Sequence, residues 1–178
     1  MIILGIDPGT AEMGWGIIES KEKPLSRLNA QNAFPKETPK RWEVKYRDHG
    51  MIKTPSDEPL SKRLVTIKRG VEHLVKEHGV EEIVIERVVF NVNKRSAISV
   101  AQAYGVILLL AGERDLPVHE YNALEAKLVV AGHGRADKKV VQQAIKKRLR
   151  LKEHPTPVHA ADALAIAICH VEKGMNSR

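Results

Sequence analysis

The sequence predicts an α/β fold with a five-stranded mixed sheet flanked by helices. Three strand-like segments come first, at 2–6, 14–18 and 44–54, and strands that follow one another without helices are typical of antiparallel pairing. Two further strands, at 82–86 and 117–121, are separated by segments with helical periodicity. Strands joined through helices pair in parallel, which makes the sheet mixed.

The 178 residues predict one domain, 1–178, with no internal repeat or composition boundary. Residues 20–43 are polar, have no periodicity and contain Pro24, Pro35 and Pro39. We therefore expect 20–43 to be a long insertion loop within the domain.

Local signals place the ends of several helices. Apolar residues at helical spacing from residue 60 predict a helix that closes at Gly79. Ser96 is the expected N-cap of an apolar helix running to about Gly112. Asn122, with Glu125 three residues later, predicts a capping box at the start of another helix.

The charge of the chain favours a polyanionic partner. Lys and Arg total 29 against 22 acidic residues, a net charge of +7. Nucleic acid is the commonest partner of such a chain, although the charge could serve solubility alone. Cys169 lies in an apolar run, so we expect a buried, inert thiol in a reducing compartment. No apolar run could span a bilayer and no basic leader precedes the first strand, so we expect a cytoplasmic protein.

Three carboxylates lie where the core does not require them. Asp7 comes directly after the first strand, and Glu86 ends the fourth. Asp162 is expected in the first turn of an Ala-rich helix, 159–172, with His159 three residues earlier on the same face. Each has an ordinary structural explanation as a turn residue, a solvated strand end or a helix-terminal side chain.

Together these side chains predict a metal site. The first and fourth strands are neighbours in many mixed sheets, and their carboxyl ends then meet at one edge. Clustered carboxylates repel one another unless a divalent cation neutralises them. Oxygen ligands suit Mg²⁺ or Mn²⁺, and two such ions can support phosphodiester hydrolysis.

Several segments resemble the RuvC family of Holliday junction resolvases. Residues 5–10 (Gly-Ile-Asp-Pro-Gly-Thr), 85–90 and 159–167 are similar to its three active-site signatures, and 97–105 and 129–138 are similar to further blocks. The resemblance implies a ribonuclease H-like fold. It also implies a metal-dependent endonuclease that resolves four-way DNA junctions by symmetric paired nicking during recombination and repair.

The resemblance assigns catalytic roles to six residues: Asp7, Glu86, His159, Asp162, Lys127 and Lys138. The three acids and the histidine match metal ligands, which implies Mg²⁺ or Mn²⁺, with two ions in each site. The histidine replaces an aspartate of other members, which removes one negative charge and favours manganese somewhat. The two lysines match residues near the cleaved phosphate; a solvated helix face is their ordinary alternative.

The family also implies contacts to DNA around the site. It often places an aromatic wedge in the loop after the second acid, where this chain has Val89 followed by Phe90; core packing is the alternative for Phe90. A polar patch and a basic helix over 136–151 could hold phosphates, unless that helix is only a solvated face. The expected contacts are Val89, Phe90, Asn91, Asn93, Lys94, Arg95, Arg135 and Lys139.

A resolvase cuts two strands, so the resemblance implies a homodimer and, as a partner, the RuvA–RuvB branch-migration complex. The helix at 96–112 is apolar on almost every side, which fits a dimer seam or burial within the monomer. Three alternatives remain. One is a YqgF-type RNA-processing nuclease with the same fold, and another is a catalytically inactive junction-binding protein. The third is an actin-like ATPase or sugar kinase, but it requires two such domains, which 178 residues cannot supply.

Overall fold

A five-stranded mixed sheet forms the centre of the molecule, as the sequence predicts. The computed structural model describes residues 1–23, 41–87 and 94–174. Its strands are β1 (Ile2–Asp7), β2 (Glu12–Lys23), β3 (Arg41–Lys53), β4 (Glu82–Glu86) and β5 (Val118–Tyr121). They are ordered β3-β2-β1-β4-β5; β1, β2 and β3 pair antiparallel, whereas β4 pairs parallel to β1 and β5 parallel to β4.

Helices cover both faces of the sheet. They are α1 (Leu60–His78), α2 (Lys94–Glu113), α3 (Ala123–Ala131), α4 (Lys138–Leu149) and α5 (Val158–Cys169), followed by a π-helical turn (His170–Gly174). One core joins the sheet to α1 and α2, and the other joins it to α3, α4 and α5. Among the described helices, none is long and apolar enough to cross a membrane.

Successive side chains of each strand point to opposite faces of the sheet and so belong to different cores. Ile3 and Val84 contact the α5 side, whereas Leu4, Ile83 and Ile85 contact the α1–α2 side. Both sets are fully buried, which explains why β1 and β4 have continuous apolar sequences.

The prediction of a loop over residues 20–43 is wrong at both ends. β2 continues to Lys23 and β3 begins at Arg41, and the two strands pair along this extension. Backbone pairing does not need apolar side chains on both faces, so the polar end of β2 gave no signal. Trp42, which falls within the predicted loop, instead lies on β3 and packs against the α5 core, as does Tyr46. The rest of the insertion, 24–40, lies outside the described residues.

Other element ends differ by a few residues. α2 begins at Lys94, so Ser96 lies inside the helix and is not its N-cap. The basic helix starts at Lys138, because Asp137 caps it by accepting a hydrogen bond from the Val140 amide at 2.9 Å. α5 begins at Val158, which moves Asp162 from the first turn to the start of the second.

The predicted capping box, the predicted helix end at Gly79 and the predicted buried thiol are confirmed. Asn122 and Glu125 form a capping box, with hydrogen bonds of 2.8 and 3.0 Å between side chains and amides. Gly79 ends α1 in the left-handed conformation, at φ 63°. Cys169 is a free, fully buried thiol near the end of α5.

Glycines in β1 and β2 allow α5 to lie very close to the sheet. A methyl group on Gly5 would lie 2.1 Å from the Ala163 carbonyl oxygen, and one on Gly14 would lie 2.1 Å from the His159 carbonyl oxygen. On Gly16, it would meet the Leu164 side chain at 2.6 Å. The backbone of α5 therefore occupies the space that side chains would need at these three positions.

We expect Gly5→Ala to destabilise the protein, because the added methyl group forces α5 away from the sheet. Overpacking of this kind costs about 1–3 kcal/mol, measured as the free energy of unfolding in urea. Gly112→Ala in α2 is the matched control, since its methyl group would meet no atom within 4 Å. It should leave stability unchanged or raise it by up to about 1 kcal/mol. Equal unfolding free energies for the two variants would contradict the close-packing argument.

Candidate active site

The site lies where the carboxyl ends of β1 and β4 meet the start of α5. Ile6 pairs with Ile85 across the two parallel strands, and Asp7 and Glu86 each follow that pair. His159 and Asp162 come from the first two turns of α5, where the His159 backbone lies against Gly14 of β2. The four residues of the predicted metal site thus lie at one edge of the sheet, on β1, β4 and α5.

Three of these four side chains form a compact group of donor atoms. One ligand atom each from Asp7, His159 and Asp162 lies within 4.8 Å of the other two. His159 Nδ1 is 2.6 Å from Asp7 Oδ2, which is a hydrogen-bond distance. The Asp7 side chain is 17% exposed and that of His159 is 47% exposed, so the group opens to solvent on the histidine side. Glu86 is not a member of this compact group.

Glu86 nevertheless belongs to the same electrostatic cluster. Burial, together with the charges of Asp7 and Asp162, raises the pKa of Glu86 to about 7, and the charges of Lys127 and His159 oppose this shift. Burial also raises the pKa of Asp7, although the hydrogen bond from His159 opposes this. Three carboxyl groups thus share a site in which negative charge is unfavourable.

This donor set fits a divalent cation. Three carboxylates and an imidazole supply hard oxygen ligands and one nitrogen, which Mg²⁺ and Mn²⁺ both accept. A bound cation would also offset the unfavourable burial of negative charge that raises the carboxyl pKa values. The four side chains that the sequence predicts as metal ligands could therefore hold Mg²⁺ or Mn²⁺ in this arrangement.

Lys127 and Lys138 lie at the border of the cluster. Burial raises the pKa of Asp162, while the positive charges of Lys127 and Lys138 lower it. Lys127 belongs to α3, and Lys138 is the first residue of α4, so two further helices direct cations at the acidic group.

The predicted DNA contacts are only partly described. Arg135 and Lys139 are exposed, Arg135 just before α4 and Lys139 next to Lys138 in it. Lys94 and Arg95 begin α2. Four of the predicted contacts lie outside the described residues: Val89, Phe90, Asn91 and Asn93.

One cation of the basic helix has a structural role. Arg148 forms an ion pair with Glu172 and donates hydrogen bonds to the carbonyl oxygens of Val129 and Val130, at 3.3 and 3.5 Å. These contacts fasten α4 to the end of α3 and to the π-helical turn. The basic helix is therefore partly a packing element.

The sequence reasoning did not identify Glu12. Its Oε2 atom is 3.9 Å from His159 Nε2, so it adds a fourth carboxylate at the exposed side of the cluster. Its position depends on the β1–β2 register, in which Asp7 lies opposite Gly14. That register is not evident from the spacing of residues along the chain.

Comparisons with known proteins agree on one family. The family model described as "Crossover junction endodeoxyribonuclease RuvC" matches residues 36–170. The RuvC of Desulfitobacterium hafniense (strain DSM 10664 / DCB-2) is 44% identical over 170 residues, covering 96% of this chain and 92% of that protein. The structure of Thermus thermophilus RuvC superposes with a TM-score of 0.82 at 29% identity, covering 99% and 97% of the two chains. Thermus thermophilus RuvC in complex with a Holliday junction substrate gives 0.80 at 30% identity, covering 96% and 93%.

We call the edge of the sheet that carries Asp7, Glu86, His159 and Asp162 the acidic edge. The mixed sheet and this acidic edge define an α/β protein of the ribonuclease H-like nuclease class. The extent and identity of the matches show the family, and the chain belongs to the RuvC family of crossover junction endodeoxyribonucleases.

We expect the contribution of Glu86 to the stability of the metal-free protein to decrease as the pH rises from 4.5 to 7, because Glu86 keeps its proton in the folded state over this range and loses it in the unfolded state. Because the folded protein must ionise a carboxyl group with a raised pKa, Glu86 lowers the free energy of unfolding above pH 7. Glu86→Gln should remove this part of the pH dependence and raise the Tm at pH 8 in EDTA. The rise should be about 2–4 °C for each kcal/mol recovered.

Glu153→Gln, at an exposed position away from the cluster, is the control and should leave the pH dependence unchanged. Added Mg²⁺ should raise the Tm of the wild-type protein more than that of Glu86→Gln. A lower metal-free Tm for Glu86→Gln than for wild type at pH 8 would contradict the interpretation.

Proposed function

We propose that this protein is a metal-dependent endonuclease that resolves four-way DNA junctions by paired, symmetric nicks. The observation that carries the proposal is the convergence of Asp7, His159 and Asp162 beside Glu86, in a chain that belongs to the RuvC family. These residues are dispersed along the sequence, and only the fold unites them. A solved relative is described in complex with a Holliday junction substrate, which supports the choice of DNA.

Asp7, Glu86, Asp162 and His159 are the proposed ligands of Mg²⁺ or Mn²⁺. Charge balance favours two ions: three carboxylates and one phosphodiester carry four negative charges, which two divalent ions match. Bound ions of this kind activate water and stabilise the leaving oxygen of a phosphodiester. The side chains of the cluster hold and orient the donor atoms, and without metal a hydrogen bond between His159 and the Asp7 carboxylate holds these two side chains together.

Lys127 and Lys138 are the proposed phosphate contacts at the site. Both charges already act on Asp162, so a phosphate near the carboxylates would lie within their field. An ammonium group attracts phosphate as a compact point charge and offsets negative charge that develops during hydrolysis. We expect these lysines to position the cleaved phosphate.

DNA outside the reacting phosphate is proposed to follow the exposed cations on the α4 side. Arg135 and Lys139 are exposed beside Lys138 and can bind the backbone without reading sequence. The segment from Val89 to Asn93 begins three residues after Glu86, the last residue of β4, and Lys94 and Arg95 follow it. Its position along the chain supports a role in holding the junction near the site.

A homodimer is proposed on the basis of α2. Ile107 and Leu110 face the core, whereas Ile98 is 63% exposed and Leu109 is 59% exposed. Leu108, at 41%, widens this apolar surface. Exposed apolar side chains gathered on one helix are typical of an interaction surface, and a two-fold dimer would supply two sites to a two-fold junction.

Family membership is the only support for the RuvA–RuvB complex as a partner. Action in the cytoplasm is inferred from the free thiol of Cys169 and from DNA as substrate. We also propose that residues 1–178 act as one domain, because α5 packs against the sheet built by the first half of the chain.

An RNA-processing nuclease of the YqgF type is the main alternative enzyme. The match to the RuvC family over residues 36–170 favours junction DNA instead. A junction-binding protein without catalysis is disfavoured by the clustering of the acidic side chains, which binding alone does not require. Parallel assays with a synthetic four-way junction and a structured RNA of equal length distinguish the two enzymes.

Asp7→Asn should reduce junction cleavage at least about 100-fold, since loss of even an indirect metal-site partner typically costs 10–100-fold. Junction binding, measured by gel shift in EDTA, should persist because the basic residues remain. Asp57→Asn, at an exposed turn position, is the control and should cut at the wild-type rate. The proposal fails if the wild-type protein leaves a mobile junction intact with both Mg²⁺ and Mn²⁺, or if Asp7→Asn cuts equally well.

Leu109→Glu should convert the dimer to monomers, measured by sedimentation velocity, because it places a charge in the apolar surface of α2. Val140→Glu provides the comparison, since Val140 is 42% exposed on α4, which packs on the other side of the sheet. A wild-type protein that sediments as a monomer at micromolar concentration would refute the dimer.

A further inference from the structure

A second cluster of metal-ligating side chains lies at the opposite end of the sheet from the acidic edge. Among the described residues, Glu82, His119 and His170 each offer one ligand atom within 4.8 Å of the other two. Glu82 begins β4, His119 lies in β5, and His170 follows α5. The family signatures and the catalytic proposal make no use of these residues.

We propose that Glu82, His119 and His170 bind a zinc ion at a site distinct from the catalytic cluster. Two imidazole nitrogens and one carboxylate oxygen form a donor set characteristic of zinc in proteins. Mixed nitrogen and oxygen donors also suit zinc better than magnesium, which prefers oxygen.

The distances between the ligand atoms support this assignment. Glu82 Oε2 is 2.8 Å from His170 Nε2 and 3.4 Å from His119 Nε2. Metal–ligand bonds of about 2.0–2.2 Å in a tetrahedral arrangement place ligand atoms roughly 3.3–3.5 Å apart. The distance between Glu82 and His119 already fits this spacing, whereas the Glu82 and His170 ligand atoms must separate by roughly 0.5–0.7 Å to hold an ion.

A neighbouring hydroxyl group orients His170 as a ligand. The Tyr121 hydroxyl contacts His170 Nδ1 at 3.1 Å, which leaves Nε2 directed at Glu82. A partner on the second ring nitrogen is a regular feature of metal-binding histidines. The His119 ring stacks on that of His170, with centroids 4.3 Å and planes 25° apart, so binding of an ion requires the more exposed His119 ring to rotate until its Nε2 lone pair points at the ion.

The burial of the cluster is consistent with a site built into the fold. Glu82 is 6% exposed and His170 is 1% exposed, whereas the His119 side chain is 26% exposed. An ion could therefore reach the cluster from the His119 side. Zinc sites with three protein ligands commonly hold a water as the fourth.

The position of the cluster points to a structural role. Glu82 and Glu86 lie at the two ends of β4, four residues apart, which corresponds to about 13 Å along a strand. They cannot share one ion. α5 crosses the sheet so that its start carries His159 and Asp162 to Glu86, while His170 beyond its end reaches Glu82. Zinc at this cluster would fasten the far end of the helix that carries two catalytic residues.

The competing interpretation is a hydrogen-bonded cluster in which a proton links His170 to Glu82 without any ion. The two interpretations differ in metal content and spectrum. Untagged protein carrying Asp7→Asn and Asp162→Asn weakens the catalytic cluster and isolates the second one. Co²⁺ serves as the spectroscopic probe, and Zn²⁺ is titrated by calorimetry.

We expect one tightly bound Zn²⁺ per chain in this double variant, and intense visible absorption of the tetrahedral type with Co²⁺. Adding His119→Ala should raise the Zn²⁺ dissociation constant at least about 100-fold and remove the Co²⁺ absorption. Adding His73→Ala instead is the matched control, because His73 is 73% exposed on α1 and away from the cluster. At 100 times the dissociation constant, Zn²⁺ should raise the Tm by about 5–10 °C.

Tyr121→Phe provides a second test if His119→Ala fails to fold. It removes only the hydroxyl that contacts His170, and should weaken Zn²⁺ binding by about 10–100-fold. The proposal is overturned if the double variant binds no Zn²⁺. It is also overturned if the affinity is the same with and without His119, or, for a His119 variant that does not fold, with and without the Tyr121 hydroxyl. Junction cleavage does not enter any of these measurements, so their outcome is independent of the proposed function.

Discussion

The close contact between α5 and the first two strands is the constraint on which the rest of the structure depends. Gly5, Gly14 and Gly16 place no side chains between the sheet and the helix. On the helix, small residues such as Ala163 and Ala167 face the sheet. Because the backbones approach so closely, the helix cannot slide or rotate without a steric clash. This fixed position places the start of α5 against the ends of β1 and β4 and its far end against the beginning of β4.

The acidic edge shows how such a rigid frame can hold groups that repel one another. Burial raises the pKa values of Asp7, Glu86 and Asp162, and the charges of neighbouring carboxylates raise those of Asp7 and Glu86 as well. An isolated cluster of this kind would separate if its supports were flexible. The rigid packing of α5 on the sheet therefore holds the carboxyl groups together although their ionisation is unfavourable. Cation binding makes their ionisation favourable, and this contributes to the affinity for the cation.

Much of the fold and of this site follows from the sequence, because the signals are local. Strand patterns placed Asp7 and Glu86 at strand ends, and the i,i+3 spacing placed His159 and Asp162 on one helix face. The ends of β2 and β3 were missed because their pairing relies on the backbone. The Glu82–His119–His170 cluster was also missed. Its members come from three elements over almost ninety residues, and no spacing rule unites them before the register of β4 and β5 is known.

Cys169 sits on α5 between its alanine-rich contact with the sheet and His170. Burial raises the pKa of this thiol to about 12, so in the folded protein it stays protonated and shielded from reagents. As the only cysteine in the chain, it has no competing thiol. A maleimide dye would therefore label the molecule only during excursions in which α5 lifts from the sheet, and the labelling rate would measure how often the frame opens.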